Sequence, residues 1–280
     1  VKLKEQNQSA LTLTSAGGLQ DEQRVTPLHQ LSDPAHLALL LGVGLVAGFI
    51  NVLAGGGTLI TLPALIFLGI PETTANGTVR LAILAQNVTA LSQFHRRGAI
   101  PWAPFKRWVL PVLMGAALGA WTGTRVSDAG FRTFLIVVML GVGAGVALRP
   151  ERFFSGHSPA EKIPPSVTWA VMVAVGFHGG FIQAGVGYLL LGTLTLLGGL
   201  SLVNANVLKL GFVTVYTPIA LLLFAMEGKV DWVAGAVLAL SQALGGYLGA
   251  TAALRKGDVL IRRTLLLAVA LAALKLGEFY

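Results

Sequence analysis

The stretch AGGGTLITLPALIFLGIPETTAN, Ala54 to Asn76, occurs a second time as AGVGYLLLGTLTLLGGLSLVNAN, Ala184 to Asn206. A shift of 130 residues aligns the two without a gap. Ala54, Gly55, Gly57, Leu59, Gly69, Ala75 and Asn76 fall on Ala184, Gly185, Gly187, Leu189, Gly199, Ala205 and Asn206. The register holds further along the chain. Ala90, Leu91, Phe94, Gly98, Trp102 and Leu110 match Ala220, Leu221, Phe224, Gly228, Trp232 and Leu240. Gly115, Leu118, Gly119, Ala120, Arg125, Asp128 and Arg132 match Gly245, Leu248, Gly249, Ala250, Arg255, Asp258 and Arg262. That makes 20 identities over the 82 positions from 51 to 132. Paired glycines, asparagines and tryptophans in one ungapped register indicate an internal duplication.

The chain has 280 residues, 54% hydrophobic and 11% charged. An average soluble domain carries about a quarter charged residues. Two runs hold no Asp, Glu, Lys or Arg: Pro34 to Pro71, 38 residues, and Ile163 to Leu208, 46 residues. A bilayer-crossing helix needs about 20 apolar residues. The composition therefore predicts an all-α polytopic membrane protein. In such a chain the net charge of +8 reads as basic cytoplasmic loops rather than as a nucleic-acid surface. With no cysteine, disulfide, thiol and Cys-metal chemistry are excluded.

In chain order, residues 1–34 read as a polar tail without the basic stretch and apolar core of a signal peptide. The first repeat spans 35–148. Its expected apolar segments are Ala35–Leu53, a glycine break at Ala54–Thr58, then Leu59–Ile70, Ala75–Phe94, Trp108–Thr124 and Phe131–Leu148. A linker at 149–165 contains Pro150, Gly156, Pro159, Pro164 and Pro165. The second repeat, 166–280, follows the same plan with Ser166–Gln183, a break, Tyr188–Leu200, Asn204–Met226, Asp231–Leu254 and Ile261–Lys275.

Five segments per half is an odd number, so the halves enter the bilayer from opposite sides, as in the inverted repeats of secondary transporters. Charge agrees. Loops 95–107, 149–165 and 255–263 hold 11 Lys and Arg, whereas loops 125–132 and 227–231 hold 3. The positive-inside rule places the first set in the cytoplasm and both termini outside. Segments 1 and 2 of each half are read either as full crossings or as a re-entrant pair, with the two breaks meeting near the midplane.

Backbone inside hydrocarbon has to satisfy its own hydrogen bonds. A glycine break is tolerated where it lies within protein or lines a polar space. The half-helix that follows then points free N–H groups and the positive end of its dipole at that space. Gly55, Gly56, Gly57, Gly185 and Gly187 are thus candidates for a small-anion site, against the plainer reading that small residues let membrane helices pack closely. For Gly115, Gly119, Gly245 and Gly249, packing is the better reading. Arg80 and Lys209 lie inside apolar text at neighbouring positions of the two repeats. Intramembrane cations are costly and mark function, unless they snorkel to the interface, the expectation for Lys275. Asn76 and Asn206 are an aligned polar pair, read equally as ligands or as helix N-caps. Gln86 and Asn87, with Tyr216 and Thr217 aligned to them, sit mid-helix where they could line a path. His178 and Gln183 precede the second break. His178, with an unperturbed pKa of about 6.5, is either a candidate proton relay or a satisfied core histidine. No carboxylate lies deep in a segment; Glu72, Glu227 and Asp231 fall at segment ends. No catalytic set, metal site or cofactor site emerges.

The glycine break, Pro63, LGIPETTANGT and the basic RRG–x–I–x–W, together with the second copy AGVG…LGGLSLVNANVLKLG…EGKVDW, resemble the sulfite exporter TauE/SafE family of membrane permeases. The chain departs from that pattern with AGGGT and AGVGY where a longer glycine run is common, and with Thr193 where a proline is common. The resemblance implies export of small sulfur-containing anions: sulfite, sulfoacetate, other sulfonates or thiosulfate. It also implies a multi-pass protein of the cell (inner) membrane, with a small anion and the lipid bilayer as partners and no nucleic acid; a homo-oligomer stays open. Two other classes make different demands of the sequence. A carrier of a neutral or cationic solute would need carboxylates along its path. An intramembrane enzyme would need a nucleophile and a base.

Overall fold

The computed structural model describes residues 33–148 and 164–277, with side chains at 139, 140, 142–148, 258, 262 and 265–277 left aside. Most of the tail 1–34, nearly all of the linker 149–165, and the side chain of Lys275 therefore lie outside the described residues. Among those described, the chain forms helices and no strand: α1 Pro34–Ala54, α2 Thr58–Phe67, α3 Glu72–Arg96, α4 Trp102–Gly123, α5 Asp128–Leu148, α6 Pro165–Phe181, α7 Val186–Leu196, α8 Leu202–Met226 and α9 Trp232–Gly277. α9 bends at Gly257, where φ is 57° and ψ −147°, and is two helices joined end to end.

Local chemistry explains the starts. Asp33 caps α1 by accepting from the Ala35 N–H at 2.9 Å, with Pro34 in the first turn. Ser201 caps α8 by accepting from the Asn204 N–H. α3 starts at Glu72, behind Pro71, and its Thr73 N–H is satisfied from outside by Asp128 at 2.9 Å. The expected third segment is therefore longer in both halves. Asn76 and Asn206 stand a full turn inside their helices, so the N-cap reading of the pair is corrected: Pro71 and Ser201 occupy those positions.

The duplication is carried by the backbone. Gly55, Gly69 and Gly98 have φ of 84°, 77° and 64°, and their counterparts Gly185, Gly199 and Gly228 have 75°, 61° and 66°. The left-handed region is open to glycine without the Cβ penalty. Gly55 uses it to close α1, its N–H bonding the Asn51 carbonyl at 2.9 Å. Burial repeats as well. Apart from Thr73 and Gly211, every buried position of α3 recurs 130 residues on in α8, from Glu72 and Leu202 to Phe94 and Phe224.

α3 and α8 pack against each other at the centre. α1 packs along the first part of α9, and α6 packs along α4. The 130-residue shift converts one of these outer pairs into the other, so each half lays its first helix on the fourth helix of its partner half. Lipid removes the hydrophobic drive between helices, and small residues let backbones close instead. Gly115 and Gly119 of α4 face the carbonyls of Val173 and Phe177, while Gly176 and Gly180 of α6 face those of Val112 and Ala116. Among the described residues, three helices are long and apolar enough to cross a membrane: Pro34–Ala54, Leu202–Met226 and Trp232–Gly257. α3 is missing from that set because it carries Asn76, Arg80, Gln86 and Asn87, all buried against protein.

Candidate functional site

The two chain breaks meet. A Cβ added to Gly55 would stand 2.6 Å from the Gly187 Cα, so only glycine lets these backbones touch. Gly56 lies against the Tyr188 hydroxyl, which has no hydrogen-bond partner among the described residues. The breaks differ in shape. α1 runs to Ala54 and turns sharply at Gly55. In register Ala54 corresponds to Ala184, yet α6 stops at Phe181 and continues extended through Ile182, φ −130° and ψ 123°. Beyond the breaks, the N–H groups of Thr58, Val186 and Gly187 have no acceptor among the described residues, as expected for the first turn of a helix.

A helix that ends inside the protein leaves carbonyls to satisfy. Here buried cations from the opposite half do so. Arg80 of α3 donates to the carbonyls of Gly179 at 3.3 Å and Gly180 at 2.5 Å, and to Gln183 Oε1 at 3.3 Å. Its guanidinium also lies 4.7 Å from the centre of the Phe224 ring. Lys209 of α8 donates to the carbonyls of Asn51 at 2.9 Å and Val52 at 3.2 Å. Arg80 is 0% and Lys209 2% exposed, so neither snorkels. Neither forms an ion pair; among the described residues the salt bridges are His36–Asp33 and Arg132–Glu72. Cations at helix C-termini are favoured by the dipole, and among the described residues no carboxylate pairs with either.

Each break is also held by the mid-helix polar residue of its own half. Gln86 accepts from Asn51 Nδ2 at 3.3 Å, and Asn51 Oδ1 accepts the Gly57 N–H at 3.3 Å. Gln86 in turn donates to Asn87 at 3.0 Å. At the aligned position Tyr216 donates to Gln183 Oε1 at 3.4 Å. His178, half-buried, donates from Nε2 to the Ala184 carbonyl at 2.9 Å and so braces the second break.

The two asparagines part company. Asn76 donates to the Phe181 carbonyl at 2.9 Å and accepts from the Gln183 N–H at 3.2 Å, spanning the extended second break. Asn206 is 0% exposed, and neither its amide oxygen nor its amide nitrogen has a partner among the described residues. The candidate glycines thus form the breaks, and Asn76, Arg80, Gln86, His178, Gln183, Lys209 and Tyr216 lie at them or bond a residue beside them. Asn87 reaches only Gln86, Thr217 has no partner among the described residues, and Asn206 is placed here by its position one turn before Lys209 on α8. Asn51 and Tyr188 were missed. Asn51 had a signal: it is the lone amide in the apolar α1, four residues before the break.

A helical bundle built around two meeting chain breaks, with buried cations between them, has the architecture of a membrane transporter. The chain belongs to the sulfite exporter TauE/SafE family, whose description matches residues 40–276, and it is a multi-pass membrane protein. It is 32% identical over 230 residues to a Haemophilus influenzae "Probable membrane transporter protein", covering 81% of this chain and 88% of that one. It is 29% identical over 245 residues to "Probable membrane transporter protein YfcA" of Escherichia coli K12, covering 87% and 90%. A Sinorhizobium "Probable membrane transporter protein ORF9" is 30% identical, over 86% of this chain and 92% of its own. No solved structure matches.

Proposed function

We propose that this protein is a secondary permease that exports small sulfur-containing oxyanions, such as sulfite, sulfoacetate and other organosulfonates, or thiosulfate, across the cell (inner) membrane. It catalyses no chemical step. The two halves act as inverted repeats, residue n on residue n + 130, with both termini outside. The anion passes where the breaks meet, among Gly55, Gly56, Gly57, Asn76 and Arg80 from one half and Gly185, Gly187, Asn206 and Lys209 from the other. Gln86, Gln183, Tyr216 and His178 border the path.

One observation carries the reading: the sign of the buried charge. Two cations lie at the breaks with carbonyls but no carboxylate against them. A buried positive charge without a counter-ion is costly, and an anion arriving between them lowers that cost. A carrier of cations would need the opposite charge there. The carboxylates of Glu72, Asp128 and Asp231 are engaged at helix ends instead, with Arg132, Thr73 and the first turn of α9.

Efflux from proteoliposomes tests it. Vesicles loaded with sulfite, sulfoacetate, thiosulfate, sulfate or choline should release one or more of the sulfur anions faster than protein-free vesicles and retain choline. Faster choline release, with all the anions retained, would overturn the proposal.

A further inference from the structure

The repeats place the same kinds of residue on α3 and α8, but among the described residues the asparagine is engaged on α3 and unengaged on α8; on α3 only Arg80 Nε, on a guanidinium bonded through its other nitrogens, lacks a partner. On α3, Asn76 holds both sides of the second break and Asn87 accepts from Gln86. On α8 the equivalent atoms, the Asn206 amide oxygen and nitrogen and Thr217 Oγ1, are buried without a partner among the described residues. Asn206 and Thr217 are eleven residues apart, about three turns, and so share one helix face. Asn206 is also one turn from Lys209, whose ammonium reaches the carbonyls of Asn51 and Val52 at the first break. The cause is the different ending of α1 and α6. Asn76 finds a carbonyl and an N–H freed by the extended chain at 181–183, whereas α1 is still helical at the corresponding residues 51–53. A buried amide with both ends free is unfavourable in an unliganded protein.

Resting on the transporter reading above, we propose that the ligand is held asymmetrically, on α8 at the first break, with Asn206 as its direct contact and Lys209 as the neighbouring countercharge. The second break, whose freed groups Asn76 and Arg80 already engage, lines the path but gives the seated ligand no direct contact. Asn206 offers a donor and an acceptor together. The ligand that satisfies both carries an anionic oxygen and a hydrogen of its own: a monoprotonated small oxyanion such as hydrogensulfite. A site that hydrogen-bonds a ligand's hydrogen rejects analogues lacking it, because its own group is left unpaired. Methanesulfonate and thiosulfate lack that hydrogen.

The test is binding to the full chain in detergent, in mildly acidic buffer where sulfite carries one proton. The probes are sulfite, methanesulfonate, thiosulfate and chloride, read by Kd and by the ligand-induced rise in Tm. Sulfite should bind wild type more tightly than methanesulfonate and thiosulfate do. Asn206→Leu should weaken sulfite about tenfold or more while leaving the ligand-free Tm unchanged or higher, since it removes an unpartnered amide. Asn76→Leu should lower the ligand-free Tm, since it removes two bonds. If the leucine variant does not fold, Asn206→Ala carries the same comparison. Sulfite binding to the Asn206 variant with wild-type affinity would overturn the asymmetric seat, and methanesulfonate binding as tightly as sulfite would overturn the need for a donated hydrogen. A wild type that binds no sulfur anion at all would sink both this inference and the oxyanion reading beneath it.

Discussion

Arg80 and Lys209 exchange partners across the molecule: the arginine of the first half closes the end of α6 at Gly179 and Gly180, and the lysine of the second half closes the end of α1 at Asn51 and Val52. The halves are therefore not two bundles side by side. Each supplies the cation that lets the other's first helix stop inside the protein, where freed carbonyls would otherwise be buried unpaired. The exchange is chemically uneven. The guanidinium forks over three acceptors and the ammonium meets two.

Arg80→Lys should not be conservative. A lysine keeps the charge but cannot match the planar fork onto Gly179, Gly180 and Gln183. The expected loss is about 2–3 kcal/mol, from unmade bonds to buried acceptors, read as a lower Tm in detergent. Lys209→Met should cost about 1–3 kcal/mol on the same grounds. A wild-type Tm for Arg80→Lys would show that charge alone holds α6.

Gly187→Ala and Gly98→Ala separate close approach from backbone strain. Gly98 has φ 64° and open space around its added Cβ, so alanine there should cost about 1–2 kcal/mol from the left-handed backbone alone. Gly187 has no positive φ, but its added Cβ would run into the Gly55 backbone. Alanine there should force the breaks apart and reduce both folded yield and transport. Equal tolerance at the two sites would mean that the breaks are not in contact.

Asp128→Ala should outweigh Arg132→Ala. Asp128 accepts from the Thr73 N–H at 2.9 Å and hydroxyl at 2.7 Å, satisfying an orphan donor at the start of α3, and its loss should cost about 1–2 kcal/mol. Arg132 pairs with Glu72, the arginine side chain 66% and the glutamate 8% exposed; solvent screens the arginine end, and its loss should cost about 1 kcal/mol, the upper end for surface pairs. Thermal unfolding of the two variants decides the order.

Membrane sidedness can be measured directly because the natural chain has no cysteine. Single cysteines at the aligned positions Arg97 and Glu227 should react with an impermeant thiol reagent from opposite sides, Arg97→Cys from the cytoplasm and Glu227→Cys from outside. Labelling of both from one side would end the inverted-repeat proposal.

Transport should not require a carboxylate. Glu72→Gln, Glu227→Gln and Asp231→Asn should keep the wild-type pH profile of flux, because these residues lie at helix ends. His178→Gln keeps a donor for the Ala184 carbonyl but removes the titration, and should change the profile where His178 is the coupling group. A carboxylate variant that abolishes pH dependence while His178→Gln leaves it intact would refute the carboxylate-free reading.

The sequence by itself determined the membrane class, the duplication and its register, the position of both breaks and the two cations beside them. These follow from local chemistry: long uncharged runs, glycines whose left-handed backbone recurs at Gly55 and Gly185, and charges rare enough in apolar text to stand out. Only the tertiary structure decided which break each cation serves, since Arg80 and Lys209 cross to the opposite half and no local pattern encodes a partner about 100 or more residues away. It also decided that Asn76 is engaged and Asn206 is not. That difference turns on where a helix ends. Carbonyls and N–H groups become available to a neighbour only once the helix stops using them; α6 stops at Phe181, whereas α1 continues to Ala54. Asn51 went unnoticed for the same reason. A single asparagine in an apolar helix acquires its role from the Gly57 N–H and Gln86 that folding brings to it.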